Sequence, residues 1–162
     1  MLVDLATGSV GSLPKPAGYS APHPLWSPDG SRIAFFATRE EPLAEPELWA
    51  LTVEEKVLSW VAELHLPNPE LGGSGRFPEW LSDGRIGFYS EEAIWSIRTD
   101  GSGLERLTSE GVRPSLSKAP SVSIAGNRMA FVVSEYSTGI GGYRMIRRIA
   151  LLDLADKRLV IK

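Results

Sequence analysis

An all-β fold is what this sequence predicts, and three observations carry the prediction. Short runs rich in Val, Ile, Phe, Trp and Leu follow one another along the chain, divided by turn residues. The 16 glycines and 12 prolines are spread from end to end instead of being gathered in one linker. And "PLWSPDGSRIAF" (24–35) returns as "PEWLSDGRIGF" (78–88), matching at Pro, Trp, Ser, Asp-Gly, Arg-Ile and Phe with one residue fewer. Such a repeat sets the architecture, because each unit can bury its faces only against its neighbours.

Composition bounds the rest. The chain has 162 residues, 43% of them hydrophobic, enough for one domain with a core and too many for a disordered segment. A net charge of -3 without a basic stripe gives no reason to expect nucleic acid as a partner. No cysteine is present, so disulfides and Cys-based zinc sites are excluded. No apolar run approaches the roughly 20 residues a membrane-spanning helix needs. "MLVDLATGSVG" has neither the basic nor the apolar region of a signal peptide.

Taken in order, the N-terminus reads as two strands around a turn: "LVDLATGSV" resembles "LLDLADKRLV" near the C-terminus. In the first full unit, "PLWS" is a strand, "PDGS" a turn, and "RIAFFAT" the returning strand of a hairpin. After the loop "REEPLAEP", "ELWALT" and "VLSWVAEL" form the third and fourth strands around "VEEK". The second unit repeats this order as "PEWLS", "RIGFYS", "AIWSIR" and "LERLT". The third is degenerate: "PSVSI", "RMAFVVS", a Gly-rich loop over 135–143, then "RRIALLDL" and "RLVIK". Pro24, Pro78 and Pro120 anchor the units, at spacings of 54 and 42 residues.

Four short antiparallel strands repeated at this spacing predict β-propeller blades. The expected domain is a single propeller segment over 1–162, of about three and a half blades. It comprises a half blade at 1–14, blades at 22–66 and 77–109, and a degenerate blade at 119–162. A ring needs four to eight blades, so the expectation is an incomplete ring or one completed by a second copy. Trp26, Trp49, Trp80 and Trp95 are expected to pack between blades, and Asp29-Gly30 and Asp83-Gly84 to serve the turns.

With these motifs in place, the sequence resembles the WD40-like (PD40) propeller repeat of the TolB family. The likeness runs through Pro24-Leu25-Trp26-Ser27-Pro28-Asp29-Gly30, Ile33-Ala34-Phe35, an aromatic third strand, and "TDGSGLERLT". It covers almost the whole chain and is weakest in the third unit, where Ala125-Gly126-Asn127 replaces Asp-Gly. The resemblance implies one of two settings. One is an exported, periplasmic propeller that binds protein partners. The other is the propeller that screens the active site of a prolyl-oligopeptidase-like serine peptidase, whose hydrolase domain is not in this sequence.

Catalytic residues are not found. "GGSGR" (72–76) lacks the final glycine of a nucleophile elbow, and "TDGSG" (99–103) is a hairpin turn with no helix after it. His23 and His65 have no serine or carboxylate partner at a recognisable spacing. Neither a metal set nor a phosphate loop is present, and no cofactor is expected. The expected activity is therefore binding of a protein or peptide partner.

The binding surface is placed on the loop-rich face. Glu40-Glu41 and Glu91-Glu92 both follow the second strand of a blade; such turns of a meander share a face with the inter-blade linkers, and that face also carries the long loops 38–47, 65–76 and 135–143. Arg39, Arg76, Tyr136 and Tyr143 belong to the same face. Loops on a rigid scaffold are where recognition residues collect. The three arginines of "YRMIRR" (143–148) are read as a charged guard on an exposed strand edge.

Overall fold

The computed structural model describes residues 2–20, 24–41, 44–63, 78–90, 93–112, 114, 121–122, 127–139 and 142–162, except for the side chains of 121–122, 135–139 and 142–144. Its described residues form antiparallel sheets. β1 (Leu2–Val3) and β2 (Val10–Gly11) pair as a half sheet. The first full sheet contains β3 (Tyr19–Ser20), β4 (Leu25–Trp26), β5 (Arg32–Arg39), β6 (Pro46–Thr52) and β7 (Val57–Glu63). The second is a meander of β8 (Glu79–Trp80), β9 (Ile86–Ser90), β10 (Ala93–Ile97) and β11 (Glu105–Arg106). The third runs through β12 (Ser121–Val122), β13 (Arg128–Gly139), β14 (Gly142–Asp153) and β15 (Leu159–Ile161). The first strands line up, β8 touching β4 on one side and β12 on the other. This is a partial β-propeller, and its sheets do not close a ring.

The turns follow from their residues. Ser27 Oγ donates to Asp29 Oδ1 at 2.6 Å, and the Ser31 and Arg32 amides are taken up by Asp29 and Ser27. Gly30 then turns with φ of 72°, a region that costs a side chain-bearing residue strain. These bonds, that from Ser27 first, draw the Asp29 carboxyl down to about 2.

The core lies between sheets. Phe36, Leu48 and Val61 of the first sheet meet Trp80, Ile86, Phe88 and Ile97 of the second. Leu81, Ile94 and Leu107 then meet Met129, Phe131, Val133 and Leu152 of the third. Ile33, Phe35, Ala37 and Leu51 cluster on the opposite face of the first sheet, under Leu13 and Tyr19.

Three expectations change. Of the four tryptophans, Trp80 is fully packed between sheets and Trp95 partly so, its indole N–H held by the Ser90 carbonyl. Trp49 instead turns to the other face of the first sheet, and Trp26 is 46% exposed because only a half sheet precedes it. The segment 135–143 is not a loop. Residues 135–139 and 142–143 continue β13 and β14, which pair from Arg128↔Asp153 to Gly139↔Gly142. Finally, β3 was not expected: it pairs with Thr38 and Arg39 of β5, beyond the stretch that β4 occupies.

Glu79 alternates with Trp80 on β8 and is half-buried; burial pushes its carboxyl up to about 7. The unfolded chain loses this proton near 4.5 and the folded chain only near 7. Stability should therefore fall as pH rises through that window and stay level above it. Glu79→Gln should remove the fall and be more stable at pH 8, by about 1 kcal/mol once partial exposure is discounted. Urea unfolding of both proteins at pH 5 and 8 checks this; an equal pH dependence in both would contradict it.

Candidate functional site

The end of β5 is where the described residues gather polar chemistry. Arg39 is the last residue of that strand, and Glu40 and Glu41 stand exposed just past it. β3 holds this end in place: Tyr19 faces Arg39 in the ladder, and the Glu40 amide donates to the Gly18 carbonyl at 2.9 Å. The Tyr19 hydroxyl donates to Glu47 Oε1 at 2.9 Å and accepts from Arg39 Nε at 2.6 Å. Arg39 Nη2 also lies 3.3 Å from Glu47 Oε1, and its guanidinium sits 5.6 Å from the Tyr19 ring centroid. The Trp49 ring meets Tyr19 edge-on at 6.0 Å. The Glu47 side chain is 8% exposed and Arg39 is 55% exposed. The Tyr19 hydroxyl first, and the Glu47 carboxylate after it, raise the pKa of the Arg39 guanidinium.

Two buried polar atoms on the same stretch lack a hydrogen-bond partner: Trp49 Nε1, a donor, and Glu45 Oε2, an acceptor. Buried polar atoms are nearly always satisfied, so these two are exceptions among the described residues. Glu47 pairs with Arg39, and Glu40, Glu41 and Glu45 lie on the same stretch of chain. The arrangement can bind a cationic or hydrogen-bonding group. It contains no nucleophile–base pair, and no group of three or more His, Cys, Asp or Glu among the described residues could hold a metal.

Of the residues singled out in the sequence, the structure brings Arg39, Glu40 and Glu41 together. Arg76, Glu91, Glu92, His23 and His65 lie outside the described residues. Tyr136 and Tyr143 are strand residues of β13 and β14, with side chains outside the described set. Tyr19, Glu45, Glu47 and Trp49 were missed. An acid at the start of the apolar run "ELWALT" was the available signal for Glu47.

Two further hollows flank the first sheet. A cleft of about 420 Å³ between the first and second sheets is lined by Arg32, Thr52, Trp60, Thr99 and Asp100, with Arg32 Nη1 donating to Thr99 Oγ1 at 2.8 Å. An apolar cavity of about 210 Å³ lies between the half sheet and the first sheet, against Leu2, Trp26, Ile33, Phe35 and Leu51.

Neither a protein-family model nor a curated protein matches the sequence. Solved structures do, at the level of the fold. An oligogalacturonate lyase in complex with manganese is 16% identical with a TM-score of 0.72, over 98% of this chain and 46% of that one. TolB from Acinetobacter baumannii is 18% identical with a TM-score of 0.65, over 98% of this chain and 36% of that one. An acylaminoacyl peptidase from Pyrococcus horikoshii is 10% identical with a TM-score of 0.59, over 89% of this chain and 25% of that one. The fold is thus a segment of a TolB-like β-propeller. The chain spans less than half the length of each of these proteins.

Proposed function

We propose that this chain is a non-catalytic propeller module that serves as a protein or peptide interaction scaffold, within a propeller larger than its own sheets. The observation that carries this reading is the cluster at the end of β5, an exposed glutamate pair beside buried, unpartnered Glu45 Oε2 and Trp49 Nε1. Its excess of carboxylates suits a lysine- or arginine-bearing peptide. The absence of any catalytic constellation in the sequence agrees with a binding role.

Titration of the chain with a Lys/Arg-rich decapeptide, followed by calorimetry, tests the proposal. Saturable binding is expected, weakened severalfold and by about thirtyfold at most in Glu40→Lys/Glu41→Lys, since each lost charge contact is worth about 1 kcal/mol or less at an exposed site. Equal binding by the parent and the double variant would overturn the site. No saturable binding would overturn its preference for cationic peptides.

A further inference from the structure

We infer that the two open ends of this segment dock on each other between two copies of the chain, head to tail, so that two chains together form one ring. The inference rests on the propeller reading and not on the peptide site.

The repeat defines what each end lacks. Trp80 is 5% exposed, packs against the first sheet, and donates its indole N–H to the Leu25 carbonyl of β4 at 3.0 Å. Trp26 holds the same place one unit earlier and is 46% exposed. The head of the segment therefore presents, partly uncovered, the kind of surface that is buried between the first and second sheets. The half sheet in front of it is one-sided. Leu2 lines the cavity toward Trp26, while Val3 and Val10, directly opposed across β1 and β2, turn the other way and are 46% and 61% exposed.

The tail matches it. Met129, Phe131, Val133 and Leu152 of the third sheet are buried against the second. The alternate residues Ile149 and Leu151 of β14, with Val160 opposite Leu151 on β15, face away and are 57%, 38% and 43% exposed. Apolar faces of this kind on a stacked repeat are normally covered by the next unit.

Charge selects a second copy as the occupant. Residues 1–66 carry nine acidic and four basic side chains, net -5, whereas residues 119–162 carry three acidic and seven basic, net +4. Heads therefore repel heads, tails repel tails, and head attracts tail. Arg147 alternates onto the same face as Ile149 and Leu151, at the rim of the tail surface. A two-fold axis along the channel makes both junctions identical and leaves no end open.

Sedimentation equilibrium of the full chain at micromolar concentration is the test. A particle of twice the 17.7 kDa chain mass is expected, with its Kd weakening about tenfold or more between 0.05 and 0.5 M NaCl. Ile149→Lys and Val10→Asp each alter an exposed position on one end only. Each alone should give folded monomer, and mixing the two should restore a dimer, because the unaltered head of one meets the unaltered tail of the other. A folded, monomeric parent chain would overturn the proposal. So would a dimer sensitive to only one of the two substitutions, which signals a tail-to-tail or head-to-head contact. A monomer that still binds the cationic peptide overturns the docking and keeps the scaffold, and a dimer without peptide binding does the reverse.

Discussion

Replacing Trp80 with alanine is expected to cost about 4 kcal/mol of folding free energy, while the same change at Trp26 costs about 1 kcal/mol. The two residues occupy one motif position, so sequence alone predicts equal effects. The structure separates them. Trp80 is 5% exposed and packs among Leu48, Val61, Ile86 and Ile97, so its loss leaves a cavity between two sheets that neither can fill. It also leaves the Leu25 carbonyl without its indole donor. Trp80→Phe should cost less than alanine but more than 1 kcal/mol, since the ring stays and the hydrogen bond goes. Trp26 is 46% exposed in the single chain, so truncation uncovers little that is not already wet. Urea unfolding, run at a concentration where the chain is monomeric, measures both. Equal losses at the two positions would show that the surface before the first sheet is covered after all.

Arg85→Met should cost about 2 kcal/mol, the second largest effect. This side chain is 19% exposed and holds three partners. Nε donates to Asp83 Oδ2 at 2.7 Å, and Nη1 donates to Ser96 Oγ at 2.8 Å and to Glu105 Oε2 at 2.6 Å. The other oxygen of Glu105 takes Lys157 of the third sheet, so Arg85 is one end of a bridge across two sheets. Methionine keeps most of the stem but strands the fully buried Ser96 hydroxyl. The two carboxylates are partly solvated and contribute less. Hydrogen bonds from Lys157 and then Arg85 hold the Glu105 carboxyl below its ordinary 4.5. Its contribution is thus present above 4.5 and is lost as pH falls through the lower folded value. The gap between parent and variant should narrow in acid. A gap that is constant from pH 7 to pH 3 would assign the loss to packing alone.

The architecture was readable because the information that fixes it is local and periodic. Pro-x-Trp, Asp-Gly and the two β-rich runs after them specify a hairpin wherever they occur, and they occur twice. The long β13–β14 hairpin was not readable, because glycines at 139, 141 and 142 read as a loop, while the ladder that keeps the strands paired is a cross-strand property. β3 escaped for a related reason: two residues pairing with the far end of a strand leave no periodic trace. The site was half legible. Charge and position in the unit marked Arg39, Glu40 and Glu41. Tyr19 and Trp49 look like core aromatics in sequence, and only the hydrogen bonds of Tyr19 with Arg39 and Glu47, and the edge-on contact of Trp49 with Tyr19, join them to the charged cluster.

Because each core is shared by two adjacent sheets, the chain has no centre of stability in the ordinary sense. It behaves as a short one-dimensional array in which a unit is held by its neighbours. Among the described residues, only the second sheet has a full sheet against both faces, the first being met on its far side by the half sheet alone. Opening therefore starts at the termini and works inward, and the middle meander is the last cooperative unit to melt. The cluster proposed to bind peptide at the end of β5 belongs to the first sheet, one step from that loose boundary. Whatever caps the head of the segment thus also sets how often that cluster is intact.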